Sequence, residues 1–210
     1  MTGATRPAPT PGPARQRGAN GRFAKASGPA APGEPIATPD ATPAVSPVAP
    51  PLELYLLRHA DAGDSATWPG IDAERPLSKK GRRQAKALAR VLKDLGLHVD
   101  AVISSPLIRA AQTAKPVAKA TGVELLTDER LGYDFGSREL AAIVDQLGPG
   151  MQRVVLVGHD PGFTDVVTLL AGTRIAMAKG ALARIDLPDR EVRAGAGDLR
   201  WLLPPDAVAR

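Results

Sequence analysis

After residue 51 the sequence contains four short aliphatic runs. Between them lie segments whose apolar residues recur with the spacing of a helix. The runs are rich in branched side chains and are bounded by polar or turn-forming residues, which is typical of strands. They are Leu52–Leu57, Asp100–Ser105, Arg153–Gly158 and Ala181–Leu187. Because strands that alternate with helices favour parallel pairing, we predict a three-layer α/β/α domain with a mainly parallel central sheet. The first three runs are predicted to be central, buried strands.

Four segments have the spacing of amphipathic helices. The first follows Ser78, a good capping residue, and should end at Gly96. Its core-facing side is predicted to consist of Ala85, Leu88, Ala89, Leu92 and Leu95. Its opposite face is basic. Further helices are predicted within 105–122, 137–148 and 160–172, and weaker strands at 123–127 and 199–203.

The first 51 residues differ in composition from the rest of the chain. They contain twelve of the 21 prolines and almost no aliphatic side chains. Such a segment buries too little apolar surface to offset the entropy lost on ordering. We therefore predict a disordered Pro/Ala/Gly-rich tail at 1–51, followed by one domain at 52–210.

Composition excludes several classes of function. The chain has no cysteine, so disulfides, thiolate metal sites and cysteine nucleophiles are ruled out. No apolar run approaches the roughly 18 residues needed to cross a bilayer, and the N-terminus lacks the apolar core of a secretory signal. The net charge of +5 is divided between tail and domain, so no nucleic-acid partner is expected. These features favour a cytoplasmic protein with no membrane partner, and they predict no particular oligomeric state.

Basic side chains follow three of the predicted strands. Arg58 and His59 end the first strand, Arg109 follows the second, and His159 follows the run at 153–158. In a parallel α/β sheet, ligands bind beyond the carboxyl ends of the strands. The sequence therefore predicts that these four side chains meet in one site.

Two predicted strand-to-helix junctions share a pattern of strand, capping residue, proline and helix. In the first, Ser105 is the predicted N-cap and Pro106 the first helical residue. In the second, Asp160 can cap and Pro161 opens the helix. Both junctions place helix N-termini at one edge of the sheet, which favours a bound anion.

The four basic side chains suit phosphoryl transfer. Arg58 and Arg109 can each grip phosphate through a bidentate guanidinium, and two such groups without carboxylate partners would require a bound dianion. His59 can supply a nucleophilic nitrogen if its other nitrogen is held by an acceptor. His159, if protonated, would stabilise charge on the transferred group.

Four blocks carry a family resemblance: "LRHADA", "ERPLSKKGRRQA", "SSPLIRAAQTA" and "VGHDPGF". In this order and spacing they resemble the histidine phosphatase superfamily, and within it the small SixA-like phosphohistidine phosphatases. The resemblance spans Leu52–Leu203 and implies a phosphoglycerate-mutase-like fold. It implies that His59 becomes phosphorylated, that Arg58, Arg109 and His159 complete the phosphate pocket, and that water releases the phosphate. It implies no metal and no cofactor.

The sequence departs from the family pattern in two places. Ala60 stands where the best-known signature has glycine, and it is small enough to keep the backbone close to phosphate. Larger relatives carry an acidic proton donor, for which Asp128, Glu129 and Asp134 are only weak candidates. Cleavage of the P–N bond of phosphohistidine needs less acid catalysis than expulsion of an alkoxide, which favours that substrate.

The short connection between the second and fourth strands leaves little room for a lid over the pocket. An open pocket suits a phosphorylated protein side chain or a small phosphoester, with Ser65 as a further rim residue. The alternatives are a phosphomonoesterase acting on small metabolites, a metal-dependent hydrolase and a non-catalytic phosphate-binding module. The metal hypothesis rests on His59 with Asp61 and on His159 with Asp160. His98, the remaining histidine, is interpreted as structural.

Overall fold

The six strands of the domain form a single sheet in the order β3-β2-β4-β1-β5-β6. The computed structural model describes residues 50–208, so the tail predicted at 1–51 lies almost wholly outside the described residues. The strands are β1 Leu52–Arg58, β2 Ala101–Ser104, β3 Leu125–Thr127, β4 Arg153–Gly158, β5 Leu182–Leu187 and β6 Asp198–Leu203. All six strand predictions are confirmed, including the two weaker ones.

The sheet is mainly parallel, as predicted. Strands β3, β2, β4 and β1 pair in parallel, whereas β5 and β6 run antiparallel to their neighbours. Alternate side chains of β1 enter two different cores, because successive residues of a strand point to opposite faces. Leu54 and Leu56 belong to one core, and Tyr55 and Leu57 belong to the other.

Helices cover both faces of the sheet. They are α1 Lys79–Asp94, α2 Ile108–Thr121, α3 Ser137–Gln146, α4 Gly162–Ala171 and the short α5 Pro205–Val208. Buried residues of α1, α2 and α5 share the core that contains Tyr55, and buried residues of α3 and α4 share the core that contains Leu54. The predicted three-layer architecture is confirmed. None of the helices within 50–208 is long and apolar enough to span a membrane.

Helix α1 begins and ends close to its predicted limits. The Ser78 hydroxyl accepts a hydrogen bond from the Gly81 N–H at 3.0 Å, as an N-cap does. Gly96, with φ of 63°, follows the helix. The core-facing prediction is wrong for Leu95, which is 73% exposed, because the helix ends one residue before it.

The predicted start of α2 is also wrong. The helix begins at Ile108 with Leu107 as its N-cap, so Ser105 is not the cap and Pro106 is not the first helical residue. At the other junction α4 begins at Gly162 with Pro161 as N-cap. The carboxylate of Asp160 still accepts a bond from the Thr164 N–H, at 3.3 Å.

Candidate active site

The four predicted site residues lie together at the carboxyl ends of the central strands. Arg58 ends β1 and pairs in register with Gly158, the last residue of β4, so the two following histidines are neighbours. The ring centroids of His59 and His159 are 5.0 Å apart. With Arg58 and Arg109 they line a cavity of about 610 Å³. The sequence prediction of a common location is therefore confirmed.

His59 is held in one tautomer. Its Nδ1 lies 2.7 Å from the carbonyl oxygen of Ala60, which can only accept, so Nδ1 carries the proton and Nε2 keeps its lone pair. The Ala60 N–H in turn donates to Thr113 Oγ1 at 3.0 Å, which anchors the loop to α2. Burial, reinforced by the charges of Arg109 and Arg58, lowers the pKa of His59 to about 4. The imidazole is therefore neutral at pH 7, as a nucleophile must be.

His159 is oriented by a serine. Its Nε2 lies 2.9 Å from Ser105 Oγ, whose oxygen also accepts a bond from the Leu107 N–H. Burial, the neighbouring His59 and the charge of Arg109 lower the pKa of His159 to about 3. This environment therefore favours neutral His159 over the protonated form that the sequence analysis considered. If the Ser105 hydroxyl donates to Nε2, the proton of the neutral ring is on Nδ1.

Each arginine of the site has a carboxylate partner, contrary to the sequence expectation. Arg58 Nη1 lies 2.9 Å from Asp160 Oδ2 and 2.5 Å from the Met177 carbonyl oxygen. Arg109 Nη2 lies 3.1 Å from Asp72 Oδ2, and its Nη1 donates to the Asp72 carbonyl at 2.8 Å. These contacts hold Nη1 of Arg58 and both outer nitrogens of Arg109, so the inference of a dianion from mutual repulsion alone is wrong.

A different observation indicates an oxyanion site. Among the described residues, three buried side-chain nitrogens have no hydrogen-bond partner: Arg58 Nε, Arg109 Nε and His159 Nδ1. An unpaired buried N–H is costly, and such groups in native proteins call for an explanation. All three belong to the predicted site, where an anion could accept from them.

Sequence reasoning missed a small network beside the cavity. Asp72 accepts bonds from the Tyr133 hydroxyl at 2.6 Å and from Arg75 Nε at 2.8 Å, in addition to pairing with Arg109. These donors lower the pKa of Asp72 to about 2. The Tyr133 ring stacks on His159, with centroids 5.9 Å apart. The network joins two loops without periodic patterns, which gave no sequence signal for it.

The weak candidates for a general acid do not line the cavity. Asp128 is bound to Arg130, which lowers its pKa, and neither Glu129 nor Asp134 contributes to the cavity wall. The wall does include Asp61, Asp64 and Asp160, together with Lys179. Ser65 lies on the wall and is exposed, as its rim position predicted, and His98 is exposed in the loop between α1 and β2.

The acidic partners of the metal hypothesis are used in other contacts. Asp61 Oδ1 accepts from the Ser78 hydroxyl at 2.5 Å, and Asp160 binds Arg58 and Thr164. Across residues 50–208 no group of three or more histidine, aspartate or glutamate side chains is placed to hold a metal ion.

The mainly parallel sheet therefore brings two histidines and two arginines to one cavity beyond the ends of its central strands. The sequence profile of the histidine phosphatase superfamily (branch 1) matches residues 54–145. An uncharacterized protein of Picosynechococcus sp. (strain ATCC 27264 / PCC 7002 / PR-6) is 45% identical over 115 residues, which are 52% of this chain and 67% of that protein. The chain belongs to the histidine phosphatase superfamily, as its motifs predicted.

Two further relatives have named activities. The phosphohistidine phosphatase SixA of Escherichia coli (strain K12) is 26% identical over 162 residues, covering 73% of this chain and 94% of SixA. A probable phosphoglycerate mutase, GpmB, of Enterobacter sp. (strain 638) is 32% identical over 123 residues, 53% of each chain.

Solved structures share the fold. The protein histidine phosphatase SixA complexed with tungstate has a TM-score of 0.64 at 22% identity, covering 74% of this chain and 98% of that one. A phosphoglycerate mutase from Bacillus anthracis str. Sterne has a TM-score of 0.60 at 18% identity, covering 77% and 97%. The predicted phosphoglycerate-mutase-like fold is confirmed.

Proposed function

We propose that this domain is a phosphatase that hydrolyses phosphohistidine in proteins through a phosphoryl group carried on His59. In the first step, His59 Nε2 attacks phosphorus and the P–N bond to the substrate imidazole breaks. The substrate nitrogen takes up a proton. In the second step, water attacks the phosphorus of phospho-His59, inorganic phosphate leaves, and Nε2 regains its lone pair.

One observation carries this proposal: three buried, unpartnered nitrogens belong to residues that line the same cavity as a tautomer-fixed His59. Arg58 Nε, Arg109 Nε and His159 Nδ1 are suited to donate to the non-bridging oxygens of a phosphoryl group. Such donors add most where charge accumulates in the transition state, and they are already oriented before substrate arrives. Arg58, His59, Arg109 and His159 are thus the proposed catalytic residues.

The leaving group supports phosphohistidine over an ordinary ester. The substrate imidazole nitrogen is basic and can be protonated by solvent, so it needs little help from a general acid. Of the carboxylates on the cavity wall, Asp61 is hydrogen-bonded to Ser78, which keeps its pKa below the usual range, and Asp160 is paired with Arg58. Asp61 is therefore not suited to donate a proton at pH 7. The similarity to SixA supports the same substrate class.

A second candidate is a phosphomonoesterase acting on small metabolites through the same residues. The cavity of about 610 Å³ has room for such a substrate, and Lys179 and Arg75 add positive charge at its wall. The similarity to a probable phosphoglycerate mutase also favours a small phosphoester.

The decisive experiment is to trap and map the phosphoenzyme. Wild-type protein incubated with a phosphohistidine peptide should carry an acid-labile phosphoryl group on His59, and His59→Ala should carry none. His98→Ala is the matched control, because this exposed histidine lies away from the cavity and its loss should leave labelling intact. Label on any other residue would overturn the proposal.

Turnover then separates the two candidates. The kcat/KM for a phosphohistidine peptide should exceed those for sugar phosphates and nucleotides, whereas hydrolysis of the metabolites alone would favour the second candidate. Exhaustive chelation should leave the rate unchanged, and a loss restored by added metal would revive the metal-dependent hydrolase.

A further inference from the structure

Positive charge is concentrated on one helical layer of the domain. Residues 50–208 contain 21 lysines and arginines and 20 carboxylates, so the described chain is almost neutral. Helices α1 and α2 nevertheless expose nine cations and a single carboxylate, Asp94. The exposed cations are Lys79, Lys80, Arg82, Arg83, Lys86, Arg90, Lys93, Lys115 and Lys119. Such segregation creates a surface potential that a balanced surface would not have.

The cations of α1 follow the helical repeat. Lys79, Arg83, Lys86, Arg90 and Lys93 are spaced by four, three, four and three residues, which places them along one face. At 1.5 Å per residue, the row is about 21 Å long. None of these five, nor any other exposed cation of the layer, forms an ion pair with a carboxylate in 50–208.

A groove runs between α1 and α2 beside this row. Its volume is about 380 Å³, and Arg82, Lys86, Lys115 and Lys119 form its cationic sides. Ala85 and Pro116 contribute apolar surface to the same groove. Its lining therefore suits a segment with several carboxylates and small apolar side chains.

The groove adjoins the active site through residues 77 and 78. Gln112, which lines the groove, accepts a hydrogen bond from the Leu77 N–H at 2.8 Å. Ser78 donates to the carboxylate of Asp61, which lines the active-site cavity. A molecule lying in the groove would therefore be next to the cavity mouth.

We propose that the α1–α2 groove docks an acidic segment of the phosphorylated protein substrate while its phosphohistidine enters the cavity. This inference rests on the proposed function and adds how the substrate is selected. Charge complementarity argues for an acidic partner. Single-stranded nucleic acid is usually bound with aromatic stacking, and the exposed large aromatic residues of the described chain, Tyr133 and Trp201, lie outside α1 and α2.

A pair of synthetic peptides tests the groove. Both contain one phosphohistidine, and they differ only in a flanking segment of glutamates or of glutamines. Wild-type protein should hydrolyse the glutamate peptide with about tenfold higher kcat/KM at low salt, because several exposed charge pairs act together. The preference should fade as salt is raised, since exposed charges are screened. Equal kcat/KM for the two peptides would overturn the docking proposal and leave the proposed function standing.

Charge reversal locates the effect. In K86E/K115E the preference for the glutamate peptide should disappear. Each rate is divided by the rate for p-nitrophenyl phosphate, a small substrate that reports whether the cavity itself still works. The matched control is R138E/R174E, which reverses two exposed cations outside α1 and α2 and should keep the preference. Loss of the preference in both variants would overturn the assignment to the groove.

Direct binding separates docking from catalysis. Fluorescence anisotropy would measure the affinity for a labelled, unphosphorylated glutamate peptide. Wild-type protein should bind this peptide, and the Kd of K86E/K115E should be at least fivefold higher. The binding difference is expected even if neither phosphopeptide is hydrolysed. Such a lack of hydrolysis would count against the proposed function and not against the docking groove. Tighter binding of a duplex RNA of matched charge than of the peptide would overturn the choice of a protein partner.

Discussion

The two strand-to-helix junctions at the active site have similar sequences but different structures. After β2, helix α2 does not begin until Ile108, and the Ser105 hydroxyl contacts His159. After β4, the helix begins at Gly162, and Asp160 both accepts from its first turn and pairs with Arg58. In each junction the residue predicted to cap a helix holds an active-site side chain.

The comparison shows that a capping residue at a strand end has two possible partners. A serine or aspartate oxygen can satisfy a helix N–H or orient a functional group brought in by a neighbouring strand. Ser105 takes the second role almost alone, whereas Asp160 takes both. Four predictions test how far this difference extends.

The largest expected effect is a loss of folding stability in acid. It should come from His159 in the β4–α4 junction and from the adjoining His59. Both His59 and His159 have folded-state pKa values lowered to about 4 and about 3, so below pH 6.5 the unfolded chain binds more protons. Folded-state stability is therefore full above about pH 6.5 and falls as the pH drops toward 4, by roughly 3 kcal/mol for each histidine. Denaturant titrations across this range would measure it.

The Ser105→Ala variant should keep this pH dependence, because the β2–α2 junction contributes no titrating group. His159→Gln should make it shallower. A wild-type unfolding free energy that is flat between pH 4 and 6.5 would contradict the prediction.

Close packing of the β4–α4 junction should make Gly162→Ala strongly destabilising. A Cβ at Gly162 would lie 2.1 Å from the carbonyl oxygen of Phe135, which is backbone and cannot move aside easily. We expect the free energy of unfolding to fall by about 1–3 kcal/mol. Gly148→Ala is the control, since no atom lies within 4 Å of its Cβ position. Equal stability of the two variants would show that the junction is looser than its contacts imply.

Asp160→Asn should lower kcat/KM by about tenfold, because Arg58 loses the charged partner that orients it. The control is Asp165→Asn, which removes an exposed carboxylate from the first turn of the same helix. Kinetics on a phosphohistidine peptide would compare the two. A lower KM with unchanged kcat would instead mean that Asp160 competes with phosphate for Arg58.

Ser105→Ala should have the smallest effect, a loss of about threefold in kcat/KM, since one neutral hydrogen bond is removed. Ser104→Ala is the matched control, because Ser104 is equally buried and its hydroxyl donates to the Ser105 carbonyl rather than contacting His159. If the two variants lose activity equally, the contact with His159 has no separate role.

The sequence was sufficient to predict the meeting of Arg58, His59, Arg109 and His159. Their positions follow from topology, because parallel strands bring their carboxyl ends to one edge regardless of the loops between them. The start of α2 was not predictable from Ser105 and Pro106, since the competing partner of the serine is a histidine 54 residues away. Local patterns do not encode that choice.

The network around Asp72 was beyond sequence reasoning for a related reason. Asp72 lies in a segment without helical or strand period, and its partners Arg109 and Tyr133 are 37 and 61 residues away. The pairing of Arg58 with Asp160 was unforeseen for the same reason, since it joins residues about a hundred positions apart. Ion pairs of this kind depend on how loops close over the sheet, so they become visible only in three dimensions.

The direction of β5 determines which of its two connections lies beside His59. Because β5 runs antiparallel to β1, it starts at the active-site edge, where the Gly180 N–H donates to the carbonyls of Arg58 and His59 at 3.2 and 3.0 Å. The connection from β5 to β6, 188–197, lies at the far edge of the sheet. A residue added at 178–180 would therefore displace two hydrogen bonds that hold the backbone of Arg58 and His59, whereas one added at 188–197 would act at the opposite end of β5.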